Sequence, residues 1–327
     1  MVLCSVGTIG WYWWLLRPLD ARSEDRKSVM VEKGSSVSEI AELLAQKGVI
    51  RSPSAFSLRA RFAGKQSTLQ AGTFILRPSM SVDEIMNILE TGTAEELIIT
   101  IPEGFTVKQI DALLTEKGVS EPGVVLDCAQ HCDFSSFGFL PDAANLADRG
   151  GKLEGYLFPD TYYITKEDFV PKFFLERLLT TFRREVLDMY KKDIDGSRRS
   201  LHEIVTMASL IEEETLNDAQ RSTVSGILWK RFDDGRGLGV DATVRYVLDR
   251  PTEEITVADL NVNSPYNTRK FKGLPPGPIA NPGLRSFLAA LHPKDSLYWY
   301  YLHDAQGIIH YAVTNEEHNL NRMKYLR

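Results

Sequence analysis

The sequence predicts an α+β protein in which a short apolar segment precedes a small βααβ module and a larger domain of mixed α/β structure. Three observations support this fold class. A strand–turn–helix pattern occurs twice, most of the later chain shows helical periodicity, and two strand-like runs flank a glycine near the end. At 327 residues, with 43% hydrophobic and 25% charged residues, the chain is long enough for two or three domains with buried cores.

The N-terminal residues 2–16 are uncharged, apolar and rich in Trp and Tyr. This pattern predicts a membrane anchor which, with the juxtamembrane residues, occupies positions 1–27, although a span usually needs about 20 residues. A signal peptide and a buried core helix are the alternatives. No Lys or Arg precedes the segment, and one explanation is that the natural start lies upstream of Met1.

An internal repeat follows the apolar segment. Residues 29–49 align without gaps with residues 99–119, and residues 80–89 form a shorter third copy. Each copy indicates a strand, a glycine turn and a helix capped by Ser or Thr. In the two long copies, Gly48 and Gly118 occupy the position expected for a helix C-cap.

The first copy extends into a βααβ module over residues 28–97, with a helix predicted at 54–63 and a strand at 72–76. Its core at residues 33–41 (KGSSVSEIA) resembles the LysM module, which binds glycan chains of N-acetyl sugars. Glycan binding and a purely structural spacer both remain open for this LysM-like module. The second copy and a turn-rich connection occupy residues 98–150.

The larger domain, at residues 151–327, is predicted to be mainly helical with a hairpin near its end. Helical periodicity marks residues 169–192, 199–215, 217–232, 240–248, 285–291 and 315–325, and the hairpin strands are predicted at 298–302 and 308–312. Residues 263–283 form a loop rich in Pro and Gly. We expect this loop to be ordered because it contains apolar anchors, with a flexible linker as the alternative.

The helix predicted at residues 199–215 (RSLHEIVTMASLIEEET) ends with three consecutive glutamates. On a helical projection, Glu213 and Glu214 point to either side of an apolar arc, and Glu212 falls within it. A carboxyl group on a buried face loses hydration, which favours its protonated form and suits it to general acid catalysis. The alternative is a solvated glutamate at the edge of an apolar stripe.

Composition and cysteine spacing exclude some classes of function. The net charge of −6 argues against nucleic acid as a partner. Cys128, His131 and Cys132 could suggest a metal, but no second ligand pair follows, so an ordinary helical turn is favoured. A local disulfide is the alternative if the domain is extracytoplasmic. We therefore predict neither a metal site nor a cofactor.

Acids and aromatic residues lie side by side in residues 153–164 (LEGYLFPDTYYI). Aromatic faces stack on sugar rings, and carboxylates accept hydrogen bonds from sugar hydroxyls. The alternative is a half-buried strand or loop whose tyrosines pack in the core.

Four stretches together resemble one family, the endolytic murein transglycosylases (YceG-like). They are residues 153–162, 208–215 and 264–283, and the closing His310 with residues 317–319. The resemblance implies a single-pass inner-membrane protein whose catalytic domain lies outside the cytoplasm, in the periplasm. It also implies proximity to peptidoglycan synthases.

The implied activity is lytic cleavage of nascent peptidoglycan strands at the β-1,4 bond between N-acetylmuramic acid (MurNAc) and N-acetylglucosamine (GlcNAc). The muramic C6 hydroxyl attacks C1 and leaves a 1,6-anhydro end, which would terminate strand elongation. The family's essential glutamate, the first Glu of an A-S-[IL]-[IV]-E motif, falls on Glu212. The candidates to line the substrate site are Glu154, Tyr156, Glu214, Asp241, Tyr266, Asn267 and Thr268.

The chain departs from the family pattern in one motif. Residues 238–244 (LGVDATV) have Gly239 where the family usually has Gln, whereas Asp241 and Thr243 match.

Two other functions remain open. One is a muramidase, a hydrolase that pairs Glu212 with a second acid such as Glu154, Glu214 or Asp241. The other is a cell-envelope scaffold that binds glycan without catalysis.

Overall fold

The computed structural model describes residues 11–20, 23, 25–91, 96–142, 146, 151–165, 169–215, 217–250 and 255–326. Helices and three two-stranded sheets in these ranges confirm the mixed α+β class. The chain divides into two compact units, one comprising Met1–Ile99 and Tyr162–Phe169 and the other Thr100–Thr161 and Val170–Arg327. The sequence pattern instead predicts separate regions at residues 98–150 and 151–327.

At the N-terminus, residues 11–15 are helical. Across the described ranges, none of the helices combines the length and the apolar character that a membrane span requires. Residues 2–10 of the predicted anchor lie outside the described residues. The anchor therefore stays a prediction.

The first unit contains a βααβ arrangement in the predicted order. Strand β1 (Lys27–Val31) pairs antiparallel with β2 (Gly72–Leu76), and helices α1 (Val37–Gln46) and α2 (Pro53–Phe62) lie between them in the chain. Helix α3 (Val82–Thr91) follows β2. All five elements contribute to one buried core, whose largest side chains include Phe56, Phe74 and Met86.

The two long repeat copies form the same local structure. Ser36 caps α1 and Thr106 caps α4 (Val107–Glu116), and each cap hydroxyl accepts the backbone N–H three residues later. The side chains at those positions, Glu39 and Gln109, accept the backbone N–H of the cap in return. Strand β3 (Glu96–Thr100) precedes α4 as β1 precedes α1. The repeat in the sequence is therefore a repeat of strand, turn and capped helix.

The second unit is mainly helical. Strand β3 pairs with β4 (Thr161–Thr165), and all but Thr100 and Thr161 of these two strands belong to the first unit. The later elements are α5 (Val124–His131), α6 (Pro171–Phe182), α7 (Met189–Gly196), α8 (Leu201–Glu214), α9 (Asp218–Asp233), α10 (Asp241–Leu248), α11 (Leu284–Leu291), β5 (Tyr300–His303), β6 (Ile309–Ala312) and α12 (Asn315–Tyr325).

Most element predictions in this unit are confirmed, with one interruption. The single helix predicted at residues 169–192 is broken by a π-helical segment, Arg183–Asp188, between α6 and α7. The predicted hairpin is present, because β5 and β6 pair antiparallel on either side of Gly307, which has a positive φ of 75°. Cys128 and Cys132 form a disulfide at the end of α5, the local pairing that the sequence left open.

Helix α8 is the most deeply buried helix of this unit. Every residue from Ile204 to Glu212 is buried, so the helix is covered on all sides rather than along one arc. Helices α9, α10 and α11 pack against it. The helical projection predicted one buried face, but helices that pack on several sides of α8 bury the other faces as well.

The contact between α9 and the chain after α11 depends on Gly226. A Cβ atom at this position would lie 1.9 Å from the carbonyl oxygen of Lys294. The amide of Lys294 also donates to the carbonyl oxygen of Ser222 at 2.9 Å. The backbone of α9 therefore touches the following loop directly, with no room for a side chain.

Replacing Gly226 with Ala is expected to lower the urea midpoint of unfolding, because the new Cβ would overlap backbone atoms that cannot rotate away. Overpacking of this kind costs about 1–3 kcal/mol. Gly196→Ala is the matched control, since no neighbouring heavy atom lies within 4 Å of its Cβ position. Equal midpoints for the two variants would contradict this account of the α9 contact.

Candidate active site

The three consecutive glutamates at the end of α8 lie in different environments. The helix begins after Ser200, whose capping box with Glu203 fixes its start, and ends before Thr215. Glu212 is buried, Glu213 is exposed, and Glu214 is half-buried. Because successive residues on a helix differ by about 100°, the three carboxyl groups face three directions.

Glu212 forms a buried ion pair. Its Oε1 accepts a hydrogen bond from Nη1 of Arg221 at 3.0 Å, and its Oε2 accepts one from the backbone N–H of Gly283 at 2.9 Å. Both side chains of the pair are only 6% exposed. Gly283 is the N-cap of α11, so the carboxylate also meets the positive end of that helix dipole.

The surroundings of Glu212 differ from those that the sequence analysis expected. The sequence pattern predicted an apolar face around this carboxyl group, whereas the structure directs two hydrogen-bond donors at its oxygens. Arg221 donates in addition to Ser286 Oγ and to Asp218 Oδ1. Glu212 therefore ties the end of α8 to α9 and to the start of α11.

Glu214 lines a cavity with a volume of about 640 Å³, which we call the polar cavity. The hydroxyl of Tyr301 on β5 donates to Glu214 Oε2 at 2.6 Å. Burial raises the pKa of Glu214, and the charge of Asp241 raises it further, against the opposing effects of the Tyr301 hydrogen bond and of Arg269 and Arg245. Burial therefore shifts Glu214 toward its protonated form at this cavity wall.

The rest of the polar cavity is lined by charged and aromatic side chains. Asp241, the first residue of α10, forms an ion pair with Arg269 from the Pro- and Gly-rich loop. The lining residues with ionisable or aromatic side chains are Glu213, Glu214, Asp241, Arg231, Arg245, Arg269, Arg322, Tyr300, Tyr301, His303 and His318. The loop, the hairpin and α12 thus meet the end of α8 at this cavity.

A smaller cavity of about 190 Å³ shares Glu213 and Arg245 with the polar cavity. Although Glu213 is accessible to solvent, the walls around it reduce its hydration. This burial, followed by the charge of Glu212, raises the pKa of Glu213 to about 7. Glu213 therefore stands between the two cavities and titrates near neutral pH.

Glu154 also lines the smaller cavity, where its side chain is almost fully buried. Its Oε1 accepts hydrogen bonds from the Val107 amide at 3.1 Å and from Asn281 Nδ2 at 3.2 Å, and its Oε2 accepts one from the Tyr246 hydroxyl at 3.3 Å. Burial raises the pKa of Glu154 to about 8 in spite of these hydrogen bonds. The carboxyl group links the start of α4, the loop and α10.

Two other predicted site residues are in fact internal supports of the Pro- and Gly-rich loop. Asn267 is fully buried, and its Nδ2 donates to the carbonyl oxygens of Leu260 and Val262, each at 2.9 Å. Thr268 Oγ1 accepts a hydrogen bond from the Val240 amide at 3.0 Å. These bonds hold the loop against the start of α10, which orders the loop as expected.

The predicted tyrosines are also buried. Tyr156 has no exposed surface, and its hydroxyl lies 3.0 Å from Nδ1 of His202, whose Nε2 lies 2.8 Å from the Pro276 carbonyl oxygen. Because that carbonyl can only accept, we assign the proton of His202 to Nε2, and Tyr156 is then the donor to Nδ1. Tyr266 packs on Tyr246, with ring centroids 5.4 Å apart. Both tyrosines hold the loop in place from within the core.

Of the predicted site residues, the structure therefore brings Glu214 and Asp241 together at the polar cavity and puts Glu154 at the smaller cavity. Sequence reasoning missed Arg245 and Tyr301. Arg245 follows Asp241 by four residues, so the two share one face of α10. No local pattern indicates Tyr301, because the position of the hairpin beside α8 is a tertiary contact.

The raised pKa of Glu154 predicts a pH dependence of stability. A pKa of about 8 in the folded state, against the ordinary 4.5, means that the folded state retains the proton longer. Stability from this group is therefore fully present below pH 4.5 and is lost as the pH rises toward 8.

Glu154→Gln is accordingly expected to become more stable than the wild type as the pH rises from 5 to 8, by roughly 4 kcal/mol at most. Urea unfolding at several pH values measures the difference. Glu316→Gln, an exposed position on α12, is the control and should follow the wild type at every pH. A constant difference between Glu154→Gln and wild type would refute the assigned pKa.

The ion pair between Glu212 and Arg221 predicts a second stability effect. Arg221→Met leaves a buried carboxylate without its cation, which costs about 3–5 kcal/mol. Arg285→Met is the control, because Arg285 is an exposed partner of Asp218 and surface pairs contribute little. Thermal unfolding of the two variants measures the effect. Similar losses of stability in both variants would show that the buried pair stabilises the fold no more than the exposed pair does.

Comparison with known proteins adds independent findings. A sequence profile of the YceG-like family matches residues 29–324. A protein from Bacillus subtilis named endolytic murein transglycosylase is 34% identical over 319 residues, which cover 95% of this chain and 88% of that protein. A protein of the same name from Streptococcus pneumoniae is 28% identical, and the match covers 98% of this chain but 62% of that protein.

A solved structure shows the same relationship. The crystal structure of a YceG-like protein from Listeria monocytogenes aligns with a TM-score of 0.64 at 30% identity, covering 91% of this chain and 99% of that one. These matches confirm the resemblance drawn from the four sequence stretches. This chain belongs to the YceG-like family.

Proposed function

We propose that this protein is an endolytic lytic transglycosylase that cleaves the β-1,4 bond between MurNAc and GlcNAc in nascent peptidoglycan strands, leaves 1,6-anhydroMurNAc ends and so terminates strand elongation. The observation that carries the proposal is the position of Glu214, a carboxyl group whose pKa is raised by burial, at the wall of a polar cavity of about 640 Å³. A cavity of this size accommodates sugar units. The names of the relatives from Bacillus subtilis and Streptococcus pneumoniae agree with this activity.

We assign the catalytic acid to Glu214 rather than to Glu212, the residue that the motif indicated. A general acid must come within hydrogen-bond reach of the leaving oxygen and must hold a proton. Glu213 and Glu214 both line the cavity and have raised pKa values, and Glu214 in addition accepts a hydrogen bond from Tyr301 that orients its carboxyl group. Glu212 has both carboxylate oxygens occupied by Arg221 and Gly283. Its role in this proposal is to fix the end of α8.

The proposed reaction uses one carboxyl group in two steps. Glu214 gives its proton to the leaving glycosidic oxygen as the bond from that oxygen to C1 breaks. The resulting carboxylate then takes the proton of the C6 hydroxyl while O6 attacks C1, which needs no water. Because Tyr301 donates to Oε2 of Glu214, the proton to be transferred resides on Oε1.

Asp241 supports a second candidate, a two-carboxylate muramidase. It lines the polar cavity together with Glu214 and forms an ion pair with Arg269. In a hydrolase, Asp241 would activate water or act as the nucleophile while Glu214 serves as the acid. The two candidates differ in product, since hydrolysis leaves a reducing end and transglycosylation leaves an anhydro end.

The proposal includes an envelope location, with the N-terminal segment as an inner-membrane anchor, the catalytic domain in the periplasm and peptidoglycan synthases as neighbours. The disulfide between Cys128 and Cys132 supports an oxidising compartment. The LysM-like module, with its βααβ order, is proposed to hold the glycan strand near the catalytic domain.

Mass spectrometry of uncrosslinked peptidoglycan strands after incubation with the purified chain tests the function. We expect internal fragments with anhydro ends from the wild type and a loss of about 10²–10⁴-fold in rate for Glu214→Gln. Glu316→Gln is the matched control and should change the rate less than about tenfold, since Glu316 is exposed on α12 and is not among the residues that line the cavity. Glu212→Gln is expected to lose stability, so its thermal midpoint of unfolding is measured together with its reaction rate.

Other outcomes lead to other conclusions. Reducing ends from the wild type would support the muramidase. If Glu214→Gln is active and Glu212→Gln is folded but inactive, the catalytic acid is Glu212, the residue that the motif indicated. Absence of cleavage by the wild type, with glycan binding retained, would leave the envelope scaffold as the function.

A further inference from the structure

One wall of the polar cavity carries polar atoms that the fold does not use. Arg245 Nε, His303 Nε2 and His318 Nδ1 are buried and have no hydrogen-bond partner within the described part of the chain. All three residues line this cavity, and they come from α10, β5 and α12. Buried polar atoms without partners are unfavourable, and a bound ligand or water is one explanation for their persistence. Their convergence from three elements indicates a wall that a polar ligand completes.

The arginines of this wall are poorly balanced by carboxylates. Arg231 donates to the backbone carbonyl oxygens of Gly237 and Trp299 rather than to an acid. Arg322 is exposed on α12 and makes no ion pair with any other described residue. Of the acids at the cavity, Asp241 is already paired with Arg269.

The titration of nearby groups agrees with an excess of positive charge. The pKa values of Glu213 and Glu214 are raised, mainly by burial, so these acids carry less negative charge near neutral pH. Burial lowers the pKa of His318, and the charges of Arg322, Arg231 and Arg269 lower it further. Guanidinium groups stay charged throughout.

We propose that this wall is an anion subsite that binds a carboxylate of the substrate, with Arg322 and Arg245 as charged donors and His318 as a neutral donor. The planar guanidinium group matches a carboxylate with paired N–H donors. Arg322 is exposed and makes the first contact, whereas the covered atoms of Arg245 and His318 reach the ligand after their side chains rotate. Because Glu214 lines the same cavity, a carboxylate held here fixes the muramic residue beside the acid.

The identity of the carboxylate rests on the proposed function. A peptidoglycan strand offers carboxylates from two sources, the lactyl group of muramic acid when no peptide is attached and the stem peptide when one is. Chitin oligosaccharides offer the same β-1,4 backbone without any carboxylate. Comparing the binding of these three ligands therefore distinguishes recognition of the carboxylate from recognition of the sugar backbone.

Binding is measured with the full chain carrying Glu214→Gln, and mass spectrometry afterwards verifies that each ligand is intact. The ligands are uncrosslinked strands with stem peptides, strands freed of peptides by an amidase, and chitin oligosaccharides of equal length. Adding Arg322→Gln is expected to weaken binding of a carboxylate-bearing strand about tenfold and of chitin less than about twofold. The loss should shrink at high salt. Lys324→Gln is the control, an equal change of charge at another exposed position on α12.

A loss confined to strands with stem peptides assigns the subsite to the peptide, and a loss for peptide-free strands assigns it to the lactyl group. An equal loss for chitin, or no loss for any ligand, overturns the subsite. Failure of the proposed function is a separate result, because it appears as absence of cleavage by the wild-type chain. Cleavage by the wild type without an Arg322 effect would reject the subsite alone.

Discussion

The buried ion pair between Glu212 and Arg221 determines how the end of α8 is held. Two charges with 6% exposed side chains lose most of their hydration, so each requires the other and the hydrogen bonds around them. The backbone N–H of Gly283 and the hydroxyl of Ser286 complete this arrangement at the start of α11. With Glu212 fixed in the interior, helical geometry directs the next two glutamates toward the cavities. A structural carboxylate thereby sets the orientation of the acid that we assign to catalysis.

A second constraint keeps the loop after α10 in position. Asn281 accepts a hydrogen bond from the Leu157 amide and donates to the Phe105 carbonyl oxygen and to Glu154, so one side chain joins three distant segments. Gly155 allows the backbone to approach the loop closely, because a Cβ there would lie 2.4 Å from Pro278 Cγ. These contacts hold the loop in place, although residues 263–283 form neither helix nor strand. It delivers Arg269 to Asp241 at the rim of the polar cavity.

The acidic residues of this site differ in chemical properties because each has different hydrogen-bond partners. Glu212 meets an arginine, Glu214 meets a tyrosine hydroxyl, and Glu154 meets an amide, a carboxamide and a tyrosine. Burial raises the pKa values of Glu154 and Glu214, and the hydrogen-bond donors around these two groups oppose that rise. The two cavities share Glu213 and Arg245, so these residues form the border between the cavities.

The sequence by itself determined the local elements and the family. Periodicity and caps located the repeat, the final hairpin and α12, because these depend on residues close in the chain. Spacing alone selected Glu212 from the three glutamates, since a projection identifies the buried face but not what packs on it. Only the tertiary structure brought Arg221 to Glu212 and the hairpin residue Tyr301 to Glu214. Which glutamate faces a cavity is decided by those distant partners, and the physical reason is that burial and hydrogen bonding, not position in the motif, set the chemistry of a carboxyl group.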